Sequence, residues 1–235
     1  MYSFRNDPGT DGVGIAFLDA VRPDGGRLDL GTTDTTLWQA QDWPLVEADL
    51  GVPVTALRQV HSDRVVVVDA DSDRPATAWT PADALATTSP RLGLAVRAAD
   101  CLPVLLADPA AGVIGAAHAG RVGLAAGVLS RVVERMRSLG ATRLSAWIGP
   151  HICGECYEVP PDMQADFVRE LPQALATTRW GTASLDLGAA AQAQLVALGC
   201  TVHRVDPCTF TTPSLHSYRR DGAAAGRQAG VVWLP

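Results

Sequence analysis

Residues Pro103–Gly140, PVLLADPAAGVIGAAHAGRVGLAAGVLSRVVERMRSLG, change their hydrophobic period halfway along. Pro103–Ala107 and Val113–Ala117 are short apolar runs set apart by Asp108-Pro109 and Gly112, the punctuation of two strands joined by a turn. From Leu124 on, Val128, Leu129, Val132, Val133, Met136 and Leu139 recur every three or four residues, with Arg131, Glu134, Arg135 and Arg137 between them. That spacing predicts an amphipathic helix over Leu124–Leu139, closed by Gly140, which suits a left-handed cap.

Upstream, the chain from Val52 reads as a run of short strands: Val54–Val60, Arg64–Asp69, Ala82–Thr87 and Leu92–Arg97. Residues 1–50 add one strand at Gly14–Leu18 and a weak helical stretch around Thr35–Leu50. Downstream, helices are predicted at Pro161–Leu171 and at Leu185–Leu198, the latter preceded by Ser184 and closed by Gly199. Strands at Leu144–Ile148, Thr201–Val205 and Val231–Leu234 complete the pattern. A strand-rich first half and a helix-rich second half with mostly short connections predict a mixed α/β (α+β) domain over residues 1–235.

Three apolar approaches end on residues that bind transition metals: Gln59-Val60-His61, Ala99-Asp100-Cys101 and Ala117-His118-Ala119-Gly120. Taken singly, a strand-end histidine reads as a hydrogen-bonded structural residue and a free cysteine as a small buried apolar one. Taken together, one thiolate and two imidazoles suit zinc, with a fourth position left for water or substrate. Cys153-Gly154-Glu155-Cys156 has the spacing of a redox or zinc pair. No second such pair and no thioredoxin-like pattern accompanies it, so it reads as a loop cysteine beside a packed one. Cys200 reads as core, and Cys208 and His203 have no distinguishing context.

Composition narrows the field. A hydrophobic fraction of 47% with 19% charged residues is that of a globular chain, and a net charge of −6 offers no footprint for nucleic acid. The sequence has no lysine, which removes Schiff-base chemistry and Walker-type phosphate loops. No apolar run approaches the roughly 20 residues of a bilayer span. Five cysteines, an odd number, and no apolar signal core in Met1–Asp7 predict reduced thiols in a cytoplasm.

The chain resembles the laccase-domain family, also called the multi-copper polyphenol oxidoreductase or purine nucleoside phosphorylase family. The likeness is carried by Gln59-Val60-His61, Ala82-Asp83-Ala84, Ala99 to Leu106, Ala117-His118-Ala119-Gly120, Ile148-Gly149-Pro150, Cys156-Tyr157-Glu158-Val159 and Ser217 to Gly222. Departures are Arg121-Val122 in place of Trp-Arg, Ala99 for Thr, His216-Ser217-Tyr218 for Phe-Ser-Tyr, and Leu28-Asp29-Leu30-Gly31 for an asparagine-rich motif.

The resemblance implies central mixed β-sheets flanked by helices, a cytotoxic-necrotizing-factor-like or laccase-domain fold. It implies that His61, Cys101 and His118 hold Zn2+, that Asp100 orients a ligand or substrate, and that Arg121 or Arg219 holds phosphate while Tyr218 stacks on a base. The implied activity is phosphorolysis of adenosine, inosine, guanosine and methylthioadenosine, with deamination of adenosine. Purine nucleosides and phosphate are thus the expected partners, with no membrane or nucleic acid, and a monomer is compatible. A second implied reading is a cytosolic amidase that edits peptidoglycan precursors by removing misincorporated L-Ser, with Cys101 activated by His118. Copper-dependent polyphenol oxidation fits less well, because mononuclear and trinuclear copper sites together need more histidines than the five present. An inactive binding module is the last alternative, hinted at by Arg121-Val122.

Overall fold

The computed structural model describes residues 1–9, 12–31, 42–72, 77 and 79–235. Its strands are β1 (Tyr2–Asn6), β2 (Gly14–Leu18), β3 (Val54–Thr55), β4 (Val65–Val67), β5 (Ala84–Thr87), β6 (Gly93–Ala98), β7 (Leu102–Asp108), β8 (Val113–Ala119), β9 (Ser145–Ile148), β10 (Leu175–Thr177), β11 (Ala183–Leu185), β12 (Thr201–Arg204) and β13 (Gln228–Trp233). Its helices are α1 (Trp43–Leu50), α2 (Arg121–Ala126), α3 (Val128–Ser138), α4 (Pro161–Glu170), α5 (Leu187–Ala197) and the short α6 (Tyr218–Asp221).

Side-chain alternation along the strands builds the layers. Ile15, Phe17, Leu94, Val96 and Val232 of the sheet ordered β1-β2-β13-β6-β3 meet Leu85, Leu105, Ile114 and Ala116 of the sheet ordered β12-β9-β7-β8-β5-β4. Their neighbours in the strands point the other way. Ala84, Ala86, Val104, Leu106 and Ala117 pack under the apolar stripe of α3, Val128 to Met136, and under α5. Ala16, Leu18, Ala95, Val231 and Trp233 pack against Trp43, Val46 and Leu50 of α1. The result is helices outside, two mixed sheets inside, and the mixed α/β class that the sequence predicts. Gly149, after β9, makes the sheets' close approach feasible, since a Cβ there would lie 2.2 Å from Phe17 of β2; within the first sheet, Gly14 leaves room for its register partner Trp233, whose ring would lie 2.1 Å from a Cβ.

Several predicted elements shift. The helix expected over Leu124–Leu139 is two, because Gly127 takes φ 91° and breaks the hydrogen-bond ladder between α2 and α3. The strand expected over Val54–Val60 ends at Thr55, since the backbone from Arg58 to Ser62 bonds to Thr80 and to the Asp83 side chain instead of a ladder. Helix α5 is capped by Asp186, whose Oδ1 accepts from the Ala189 N–H at 2.8 Å, whereas Ser184 lies within β11. Of the helical stretch around Thr35–Leu50, only Trp43–Leu50 is seen as helix, and residues 35–41 lie outside the described residues. Gly140 and Gly199 both adopt the left-handed region, at φ 106° and 75°.

Asp108, 1% exposed at the end of β7, ties the β7–β8 turn to the loop after α3. Its carboxylate accepts from the Thr142, Arg143 and Ala111 N–H groups at 2.7, 2.8 and 3.2 Å. Burial would raise its pKa, but these backbone donors together hold it below the ordinary aspartate value. A depressed folded-state pKa gives stability that is complete above the unfolded value of about 3.9 and is lost as pH falls through the folded one. Asp108→Asn is therefore expected to cost about 1–3 kcal/mol at neutral pH. The difference in Tm from the parent should shrink as pH drops below about 4, which thermal unfolding across pH measures.

Candidate metal centre

The site forms at one end of the six-stranded sheet because antiparallel pairing brings three chain segments there. Leu102 pairs with Ala119 and Ala84 with Ala117, so Cys101 and Asp83, each just before its strand, flank His118 near the end of β8. His61 arrives from the loop before β4. The ligating atoms of His61, Cys101 and His118 all lie within 4.8 Å of one another. Cys101 Sγ is 3.7 Å from His61 Nε2, and the two imidazole centroids are 4.8 Å apart in an edge-on arrangement.

Asp83, fully buried, organises the cluster. It accepts hydrogen bonds from the N–H groups of Val60, His61 and Ser62 at 3.1, 2.9 and 2.6 Å and from Ser62 Oγ at 2.8 Å. These bonds support His61 at φ 62°, an uncommon conformation for a residue with a Cβ. Asp83 also accepts from His118 Nδ1 at 2.9 Å, which leaves His118 Nε2 as the ring's ligating atom. Burial alone would raise the Asp83 pKa, yet the hydrogen bonds from His118 and Ser62 and the His118 charge bring it to about 2. Burial likewise opposes ionisation of Cys101, but the charge and hydrogen bonds of His118 and His61 bring its thiol down to about 6. Against burial, the Cys101 thiolate and Asp83 lift His118 to about 9.

Asp100 is the second strained position, at φ 90°. Its Oδ1 accepts from Thr209 Oγ1 at 2.6 Å and its Oδ2 from the Arg219 N–H at 2.6 Å. The residue thereby fixes the start of α6 beside the cluster, a positioning role. Arg219 donates from Nη1 to the Glu158 carbonyl at 2.8 Å and lies 5.1 Å from the Tyr157 ring centroid.

A cavity of about 450 Å³ opens over the cluster, a volume in the range of small-molecule sites. Arg97, Arg219 and Arg227 line its wall with Gln59, Tyr157 and Tyr218, the Arg97 guanidinium donating from Nη1 and Nη2 to the Gly31 and Leu57 carbonyls. Among the expected site residues, His61, Asp100, Cys101, His118, Tyr218 and Arg219 line it together. Arg121 does not; it starts α2. Gln59, Asp83, Arg97, Tyr157 and Arg227 are contributors not singled out from the sequence for a role. Arg97 had a readable signal, a charged residue inside the otherwise apolar β6.

The departures at residues 28–31 and 216 meet behind this wall. His216 donates from Nε2 to the Leu28 carbonyl at 2.6 Å and accepts from Arg27 Nη2 at 2.9 Å, while Asp29 Oδ1 accepts from the Arg227 N–H at 2.9 Å. His151 is buried elsewhere, with Nδ1 donating to the Gly149 carbonyl at 2.9 Å.

Gly120 has no room for a side chain. A Cβ there would lie 2.6 Å from His61 Cδ2 and 3.1 Å from Cys101 Sγ, although its φ of −70° suits any residue. Gly120→Ala is expected to keep the fold but displace the His61 ring, and misplacement on the order of 1 Å lowers turnover about 100-fold. Steady-state kinetics beside thermal unfolding checks both halves.

Two imidazoles and a thiolate at a cavity floor define a candidate metal-site protein built on two packed sheets. Residues 27–235 match the family described as multi-copper polyphenol oxidoreductase laccase, and the chain belongs to that family. Over 188 residues it is 49% identical to a protein of Streptomyces griseus named purine nucleoside phosphorylase, covering 77% of this chain and 74% of that one. A Streptomyces coelicolor protein of the same name is 48% identical over 81% of this chain and 80% of its own. Among solved structures, Neisseria meningitidis protein NMB0706 superposes with TM-score 0.80 at 31% identity, covering 98% and 97% of the two chains. Bacillus licheniformis hypothetical protein YfiH gives 0.82 at 29% identity, over 95% and 93%.

The donor set fits one zinc ion: a soft thiolate, two imidazoles and a buried carboxylate that orients one of them. It does not fit a multi-copper centre. Besides His61 and His118 the chain has three histidines, and they stand apart: His151 on Gly149, His203 stacked on Trp147 with centroids 5.1 Å apart, and His216 on Leu28.

Proposed function

We infer that the chain is a zinc-dependent purine nucleoside phosphorylase that also deaminates adenosine. The observation that carries this reading is the joining, in one cavity, of a His61–Cys101–His118 donor set with three arginines in its lining. The names of its relatives support the phosphorylase part of this reading. Phosphorolysis forms a bond between a phosphate oxygen and ribose C1′ while the bond from C1′ to the base breaks, so the site must hold an anion and stabilise charge growing on the base.

Arg219 and Arg227 suit the anion, each with part of its guanidinium already fixed on main-chain carbonyls of Glu158 and of Ala225 and Gly226. Arg97 adds to them from a buried position. Burial first, and then the Arg227 charge, draw its pKa down to about 10, a repulsion that a bound phosphate relieves. Tyr218, exposed at the mouth, offers a ring face for the purine. Zinc held by His61, Cys101 and His118 supplies a Lewis acid for polar chemistry.

The test is incubation with inosine with and without phosphate, and with adenosine. Hypoxanthine and ribose 1-phosphate formed only with phosphate, and inosine formed from adenosine, are the expected products. The reading fails if zinc-loaded protein releases no base. A second reading, an amidase removing L-Ser from a muramyl precursor with Cys101 activated by His118, is favoured by the gathering of the Cys101, His61 and His118 side-chain atoms within 4.8 Å of one another. Cleavage of that precursor with no base release would select it.

A further inference from the structure

A second cluster lies behind the cavity wall. The sulfurs of Cys153, Cys156 and Cys208 lie within 4.8 Å of one another, and none is in a disulfide. A tight turn brings the first two together, with the Cys156 and Tyr157 N–H groups donating to the Cys153 carbonyl at 3.0 and 2.9 Å. Gly154 is needed in that turn, since a Cβ there would meet Asp186 Cβ at 2.8 Å. Cys208 joins from the far segment, where His151 and Cys208 form a β-bridge and the Thr209 N–H donates to the His151 carbonyl at 3.0 Å. The sequence alone left Cys208 without context because this bridge spans more than fifty residues.

We propose that Cys153, Cys156 and Cys208 hold a second cation, a soft d10 ion such as Zn2+ or Cu+, through three sulfurs. Zn–S bonds of about 2.3 Å at tetrahedral angles put sulfurs roughly 3.8 Å apart, a small contraction of the present cluster. Soft sulfur ligands select these ions, and binding releases the thiol protons. A disulfide would use two sulfurs and leave the third unexplained. Arg179 donates from Nη2 to Cys156 Sγ at 3.0 Å, so the cluster already has a hydrogen-bond donor on one sulfur.

The ion would fasten the two segments that hold Asp100. Thr209, next to Cys208, donates to Asp100 Oδ1, and the N–H of Ile152, next to Cys153, donates to the Asp100 carbonyl at 3.0 Å. Asp100 adjoins Cys101, so the second site positions the first without touching substrate.

The test uses reduced Cys101→Ser protein, in which the first site is disabled, so that its result is independent of the proposed activity. The protein is titrated anaerobically with Zn2+ in one arm and Cu+ in another, each against a chromophoric chelator. One equivalent held in either arm, with thiolate-to-metal absorption, is expected. Adding Cys153→Ser or Cys208→Ser should weaken retention at least about tenfold. If Cys208→Ser protein does not fold, Cys153→Ser at the adjoining half-buried position carries the comparison. Failure to hold either ion, or retention unchanged by the added substitutions, overturns the proposal. So does a pair of thiols lost to glutathione disulfide in protein that holds neither ion, which would assign a disulfide.

Discussion

Asp83→Ala protein is expected to lose both its metal affinity and a large part of its stability. The substitution removes the acceptor for three backbone N–H groups, one hydroxyl and the His118 ring at once. A buried donor left without a partner costs about 1–3 kcal/mol, so the loss should reach at least ~3 kcal/mol even if water replaces some bonds. His61 would no longer be supported in the left-handed region, and His118 would lose the carboxylate that fixes its tautomer. Loss of an outer partner to a ligating histidine alone typically costs about 10–100-fold in affinity, and here two ligands are released together. Asp83→Asn separates the effects: it keeps the volume and one acceptor oxygen, so it should fold more stably than Asp83→Ala while still binding zinc weakly. Thermal unfolding and chelator competition on the two variants read the outcome. Undiminished zinc affinity in Asp83→Ala would remove Asp83 from the site's architecture.

Cys101→Ala is expected to lose the metal without losing stability: little change in unfolding and a loss of zinc affinity and turnover exceeding roughly 100-fold. The sulfur is half-buried at the cavity floor and is not part of the apolar layers. The strained backbone beside it is maintained by other groups, Asp83 for His61 and the Thr209 and Arg219 contacts for Asp100. Non-glycine residues in such conformations cost on the order of 1–3 kcal/mol each, a cost the fold bears to aim the three side chains. Cys101→Ala protein that keeps zinc at parental affinity but loses activity would make the cysteine a nucleophile rather than a ligand.

The layers were largely legible in the sequence because the short apolar runs of β5 to β8, punctuated by Pro, Asp and Gly, and the period-3.6 recurrence in α3 are local properties. Their limits were less so. Gly127 sits inside an unbroken apolar rhythm, and nothing in that rhythm says its φ will reach 91°. Val54–Val60 is β-branched enough to read as one strand, but after Thr55 its hydrogen bonds go to a carboxylate more than twenty residues away. The convergence of His61, Cys101 and His118 was legible as polar residues ending apolar strands, the usual way a rigid sheet delivers chemistry. Asp83 was quoted within a motif but carried no role, since a carboxylate before a strand looks ordinary until the N–H groups it faces are known. Arg227 and Cys208 depend wholly on pairings across the fold and had no local signal.

X-ray absorption at the zinc edge, on zinc-loaded Cys153→Ser/Cys208→Ser protein, addresses the proposed ligand set itself. Removing two sulfurs of the second cluster leaves the spectrum to the first. One sulfur at about 2.3 Å and two imidazole nitrogens at about 2.0–2.1 Å, with a remaining light-atom neighbour, is the predicted shell. A shell with no sulfur, or with no imidazole scattering, would contradict the assignment of zinc to His61, Cys101 and His118.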